Sequence, residues 1–295
     1  MAGGGPALVL EGGGFRGIFT AGALDVMQEH GIYGFGSVWG VSAGAINATS
    51  FKSRQIGRSM RIVLAFRDDK RFMSLWSWAT TGDMAGADFM YEEVQNRLDP
   101  CDNETFNANP LRMYAVATDT VFGTAAYLPC RHFPEDVICV RASASLPLVS
   151  NKVQVGGHRY LDGGTADSIP YAAALGIDGA PAVEGHTPPS HAVVVLTRER
   201  GYVKTDATER LYLRSRRYDG YPFYTEALAS RAERYNASRK RLFELEEQGT
   251  VLIIEPPRPV EVGNTGADGA ALLDLYLQGR AAAEQKLDSL RELAG

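Results

Sequence analysis

The run Ser37-Val38-Trp39-Gly40-Val41-Ser42-Ala43-Gly44-Ala45-Ile46-Asn47-Ala48 constrains this chain more than any other stretch. Its apolar first half predicts a buried strand, the Gly-x-Ser-x-Gly at its centre a sharp turn, and the small residues that follow a helix. Strand, turn and helix in that order form the setting of a nucleophile elbow. Such a turn excludes side chains two positions before and two after the serine, and Gly40 and Gly44 meet that demand. The Ser42 hydroxyl would then stand clear of the backbone at a helix N-terminus, where partial positive charge favours a developing anion. The plainer account is a strand-to-helix turn capped by serine. The company the motif keeps decides between the two.

Upstream, Ala7-Leu8-Val9-Leu10 predicts a short buried strand, followed at once by Glu11-Gly12-Gly13-Gly14-Phe15-Arg16-Gly17. A helix is expected next, ending at His30-Gly31, where Gly31 suits the position just past a helix. The opening of the chain therefore reads β-loop-α-β-elbow-α, the start of a parallel, doubly wound sheet. Gly12, Gly14 and Gly17 satisfy the dinucleotide pattern GxGxxG, but that pattern wants a carboxylate at the end of the second strand. The second strand here runs into Ser42 instead. The competing account is an oxyanion hole, since consecutive glycines let backbone amides turn toward one point. Arg16, the only Lys or Arg in the first fifty residues, lies in the same loop.

Further along, helices are expected over 55–66 and 89–98, joined by an aromatic-rich stretch that contains Phe72, Trp76 and Trp78. Those aromatics suit core packing first, and an acyl channel or lid second. Strands are expected over 113–118, 124–128 and 137–140, then a short helix over 141–147 stopped by Pro147. A hairpin over 153–161 turns at Gly156-Gly157 and leads into Asp162-Gly163-Gly164. The continuous apolar run 191–197 reads as a central parallel strand. Beyond residue 200, helices over 208–216, 221–248 and 268–293 surround one strand, 251–254.

A serine nucleophile needs a base. His186 and His191 are the only histidines after Asp162. The first sits in a Gly-His-Thr-Pro-Pro-Ser loop and the second opens an apolar strand, so a packed or solvated role is expected of each. His30 reads as a helix C-terminal cation, and nothing marks His132 or His158. Asp162 is the stronger candidate, because Gly163 and Gly164 permit a tight turn that presents the carboxylate into a cleft. An ordinary Asp-Gly turn is the plain alternative.

The formal net charge of −5 gives no basic face for nucleic acid, and no apolar run approaches the ~20 residues that span a bilayer. Residues 1–6 carry neither a basic nor an apolar signal-peptide region. Cys101, Cys130 and Cys139 lack CxxC spacing and read as free thiols of a reducing compartment. A cytoplasmic location is expected. Arg210, Arg214, Arg216, Arg217, Arg231, Arg234, Arg239, Lys240 and Arg241 make the early C-terminal part basic. With Glu226, Glu233, Glu244, Glu246 and Glu247 interleaved, a solvated helical face is the first account and transient docking on an anionic membrane surface the second.

In order along the chain, GGGFRG, GVSAG, RASASLP and DGG resemble the patatin-like phospholipase family, and within it the bacterial patatin-like proteins. RRYDGYP and LYLQGR are similar to an extension carried by one bacterial branch. The resemblance implies an α/β fold of three α/β/α layers on a mainly parallel sheet, with a mostly helical C-terminal extension. It places a hydrolase domain over 1–200 and the extension over 201–295. It also implies a serine–aspartate dyad: Ser42 as nucleophile, Asp162 as base, and Gly12, Gly13, Gly14 and Arg16 as the oxyanion site. Many members carry DGA where this chain has DGG, a change that leaves the carboxylate alone. A carboxylate near its ordinary pKa is a poor partner for a hydroxyl, so burial must raise its basicity and the loop must supply most of the catalysis. The expected substrate is an acyl lipid or ester, with no cofactor and no metal. The alternatives are an esterase, thioesterase or acyltransferase on soluble acyl substrates, or a non-catalytic acyl-lipid binder.

Overall fold

The computed structural model describes residues 4–72, 77, 82–83, 86–263 and 268–295. Its strands are β1 (Ala7–Leu10), β2 (Ser37–Val41), β3 (Arg112–Asp119), β4 (Ala125–Cys130), β5 (Val153–Val155), β6 (His158–Asp162), β7 (Ala192–Val195) and β8 (Val251–Ile254). They form one sheet in the order β5-β6-β3-β2-β1-β7-β8, with β4 also paired to β3. The run β3-β2-β1-β7-β8 is parallel, and the β4, β5 and β6 pairings are antiparallel.

The helices are α1 (Gly17–Glu29), α2 (Ala43–Lys52), α3 (Arg58–Phe66), a π-type helix α4 (Phe89–Leu98), α5 (Asn103–Ala108), α6 (Val137–Ser143) and α7 (Tyr171–Leu175). The remainder are α8 (Ala207–Arg214), α9 (Pro222–Ala229), α10 (Arg231–Glu247), α11 (Gly269–Glu284) and α12 (Leu287–Ala294).

The parallel strands are apolar on both sides because each side is covered. Leu8, Leu10, Val38, Val193 and Val195 pack with α1, α2 and α11 on one face. Their neighbours Ala7, Val9, Trp39 and Val194 pack with α7 and α10 on the other, the period-two alternation of a strand. The result is a three-layer α/β/α arrangement, as expected.

The last ninety residues join this body directly. β8 extends the sheet from β7 in parallel register, and α11 lies against α1. A Cβ on Gly22 would run into the Tyr276 carbonyl and one on Gly279 into the Phe19 carbonyl, so the two helices approach backbone to backbone. Tyr276 donates to Asp25 Oδ2 at 2.7 Å and Arg280 pairs with Glu29 at 2.6 Å across the same contact.

Local expectations fail at four places, one being the helix placed over 141–147, which ends at Ser143. Residues 137–140 are not a strand but the start of α6. The edges of β3 are already taken by β2, β4 and β6, so the run satisfies its backbone internally and buries Cys139 and Val140. The helix expected over 221–248 is two helices parted at Ser230, and that over 268–293 parts at Gln285 and Lys286. Trp76 and Trp78 lie outside the described residues, whereas Phe72 is buried and packs on Phe15 at 6.2 Å.

Candidate active site

β1 is flanked by β2 on one side and β7 on the other, so the chain reverses direction across the sheet there. Ligands of open α/β sheets bind beyond the carboxyl ends of strands at such a switch point. The Gly12–Gly14 loop leaves β1, Ser42 leaves β2 and Thr197 follows β7 at this end.

Ser42 occupies φ 54, ψ −121 between β2 and α2. A left-handed backbone at a non-glycine residue costs about 1–3 kcal/mol and persists only where its surroundings enforce it. The enforcement is visible. A Cβ on Gly40 would sit 2.5 Å from Ala45 Cα, and one on Gly44 would run into the Leu10 carbonyl. The Ser42 amide donates to Ser143 Oγ at 2.9 Å, and that hydroxyl donates to the Val116 carbonyl at 2.6 Å. Ser143 lies inside RASASLP, a motif that marked its importance without revealing this role.

The register brings Asp162 to the same place. Val41 pairs with Val116, the last β2 rung on β3, and Asp162 pairs with Ala117, the next position. Since β4 occupies the other edge of β3 through Thr118, β6 takes over the edge that β2 vacates at the elbow. Asp162 is buried; Oδ1 accepts from the Gly164 amide at 2.8 Å, and Oδ2 has no hydrogen-bond partner of ordinary geometry. Burial raises its pKa, opposed by the nearby Ser42 hydroxyl, the Arg231 charge and the Gly164 amide.

Ser42 lines two cavities. The polar one, about 60 Å³, also holds Gly12, Gly13, Gly14, Arg16 and Asp162. The apolar one, about 110 Å³, is walled by Phe15, Ile18, Ile46, Ile62, Phe72 and Leu146. Arg16 is held down from its usual pKa by burial first and by Arg198 second. Asn47 lines the apolar cavity and donates to the Gly17 carbonyl at 2.7 Å, while Asp119 instead pairs with His158 at 2.7 Å.

Among the described residues, no histidine lines either cavity. His186 Nε2 donates to the Ala174 carbonyl at 2.8 Å and its ring packs edge-on to Trp39 at 4.8 Å; His191 is exposed beside Ser190. Among the described residues no cluster of His, Cys, Asp and Glu could hold a metal, and no helix is long and apolar enough to cross a membrane.

A profile described as "Patatin-like phospholipase" matches residues 8–175. The chain belongs to the patatin-like phospholipase family. A domain of unknown function, DUF6363, matches residues 221–295. The chain is 31% identical over 173 residues to the uncharacterized protein YjjU of Escherichia coli (strain K12), a stretch covering 57% of this chain and 48% of that protein. It thus spans about half the length of the curated relative it matches. Among solved structures it is similar to VipD from Legionella pneumophila, with a TM-score of 0.46 and 15% identity over 97% of this chain and 67% of that one.

The patatin-like match stops before several residues that build the site. Tyr235 on α10 donates to Glu11 Oε1 at 2.5 Å, and the Thr197 amide donates to Glu11 Oε2 at 2.5 Å. The Thr197 hydroxyl lies 3.0 Å from the Gly12 carbonyl. These contacts brace the glycine loop from the C-terminal part of the chain, and no local pattern announces them. The basic stretch proves divided: Arg239 is buried against the carbonyls of Glu199 and Arg200, Arg234 donates to the Thr165 carbonyl and Arg231 to that of Gly164. Arg239 therefore serves packing, not a solvated face.

Proposed function

We propose that this protein hydrolyses the acyl esters of lipids through Ser42 and Asp162. Family membership supports a hydrolase. The observation that carries the finer assignment is that Ser42 stands where the apolar cavity meets the polar cavity containing Asp162. Ser42 Oγ attacks the ester carbonyl carbon while Asp162 takes its proton. The amides of Gly12, Gly13 and Gly14, with the Arg16 charge, stabilise the oxyanion. Collapse of the tetrahedral species expels the alcohol, which leaves with the proton from Asp162, and the acyl group stays on Ser42. Water then attacks the acyl-enzyme, Asp162 takes its proton and returns it to Ser42, and a fatty acid departs. The acyl chain occupies the apolar cavity. A cytoplasmic enzyme meeting lipid transiently at a membrane surface belongs to the same proposal.

The test is hydrolysis of a panel of acyl esters, together with fluorophosphonate labelling. Ser42→Ala and Asp162→Asn are expected to lose about 10³-fold or more in kcat, and Ser42→Ala to lose labelling. His191→Ala should retain activity. Loss of turnover in a folded His191→Ala protein would overturn the dyad, and an unlabelled, inactive wild type would leave only an acyl-lipid binder.

A further inference from the structure

The polar cavity has a wall that this mechanism does not use. Arg198, Tyr202 and Lys204 come from the loop after β7, and Arg231 from the first turn of α10. All four lie beyond the patatin-like match at residues 8–175.

The loop that carries them is held, not free. Asn236 accepts from the Lys204 amide and donates to the Lys204 carbonyl, each at 2.9 Å. Buried Arg239 grips the carbonyls of Glu199 at 2.7 Å and Arg200 at 3.1 Å. The Arg198 guanidinium lies over the Tyr202 ring at 4.6 Å; its Nη1 donates to the Val260 carbonyl at 2.7 Å, and its buried Nε has no hydrogen-bond partner among the described residues.

Charge in the cavity does not balance. Arg16, Arg198, Lys204 and Arg231 face Glu11 and Asp162, and a single further carboxylate, Glu209, serves both Lys204 at 3.5 Å and Arg231 at 3.0 Å. Burial lowers the Lys204 pKa, and both Arg231 and Arg16 push it further down against the pull of Glu209. Desolvated cations that repel one another are relieved by an anion placed between them.

We propose that Arg198, Lys204 and Arg231 form a subsite for a phosphate-like anionic group carried on the alcohol side of the scissile ester. This rests on the hydrolase assignment of Ser42. With the acyl chain in the apolar cavity and the carbonyl at Ser42, the alcohol half points into the polar cavity. The charges there read its anion by charge-assisted hydrogen bonds. The patatin-like core would then supply the chemistry and the C-terminal part the choice of leaving group. Free inorganic phosphate offers the same chemistry and would compete for the subsite.

The experiment compares a monoacylglycerol with the same compound bearing a 3-phosphate, using wild type, Arg198→Gln and Lys204→Gln. Arg231 is spared because it also holds the Gly164 carbonyl beside Asp162. In the wild type, KM for the phosphorylated ester should be about tenfold below that of the neutral one. Each variant should raise that KM about tenfold while the neutral-ester KM changes far less, so that the preference between the two esters is lost. Inorganic phosphate should inhibit the wild type competitively and the variants weakly. Equal KM for both esters without phosphate inhibition, in an enzyme that turns over, overturns the subsite and leaves the hydrolase standing. Phosphate inhibition without preference for the phosphorylated ester overturns the substrate assignment and supports an inhibitory anion site. Failure to hydrolyse either ester or to label Ser42 overturns the hydrolase instead. Calorimetric phosphate binding lost in Lys204→Gln would then still support the anion site, and its absence in wild type would overturn it.

Discussion

In the proposed mechanism Asp162 carries two opposed demands. It must be buried to hold a proton during turnover, and a buried carboxylate resists ionisation. Its pKa is raised chiefly by burial, so the native state binds its proton more tightly than the unfolded chain does. The stability this contributes is complete below the unfolded pKa and is lost as pH rises through the folded one. As pH rises above the unfolded pKa, the wild type therefore bears a growing cost for this buried carboxyl. Asp162→Asn keeps an oxygen for the Gly164 amide and removes that cost. The variant should be inactive yet melt at a higher temperature than wild type at about pH 8, the gap narrowing toward about pH 4. Wild-type kcat should fall with acidification through the raised pKa. Melting curves across that range decide the matter, and a variant less stable at about pH 8 would contradict it. At this scale Gly40, Ser42 and Gly44 were legible because a tight turn imposes its demands within five residues. Glu11 with Tyr235, or Lys204 with Asn236, meet only after folding, and neither partner has a local signature.

Among the elements, the α1–α11 contact is the most demanding. Gly22 and Gly279 leave no room for a side chain against the facing backbone, so Gly279→Leu must separate the helices and disturb the Tyr276–Asp25 and Arg280–Glu29 bonds. A loss of about 1–3 kcal/mol or more is expected in denaturant melts, with Ser42 labelling retained wherever the protein stays folded. An unchanged midpoint would show that the helices can part without cost. The hairpin β5–β6 was readable from alternation and Gly156-Gly157, because local chemistry and tertiary pairing agree there. α6 was not. Val137, Ile138, Cys139 and Val140 suit a strand by type, and a four-residue apolar run has no period long enough to tell strand from helix. Occupancy of both β3 edges decided it, a fact that no local window contains.

For the molecule as a whole, the order of strand, glycine loop, helix and elbow was enough to foresee a doubly wound layer structure with its cleft at the strand ends. It was not enough to show that β8 and α11 complete that structure. Removing residues 201–295 would uncover the β7 edge and the apolar side of α1, and would withdraw Tyr235 from Glu11. A chain of residues 1–200 is therefore expected to be insoluble or molten, with no fluorophosphonate labelling. Sedimentation and near-ultraviolet dichroism check this, and a soluble, cooperatively melting fragment would refute it.

One strand edge is shared between β2 and β6, and that arrangement acts as a ruler. Since Val41 and Asp162 sit opposite consecutive positions of β3, the spacing of hydroxyl and carboxyl is set by backbone pairing and not by the adaptable side chains of the cleft. A one-residue slip of β6 would swing the carboxyl to the reverse side of the sheet. Changes in the loops around the opening would therefore leave the alignment of Ser42 and Asp162 intact.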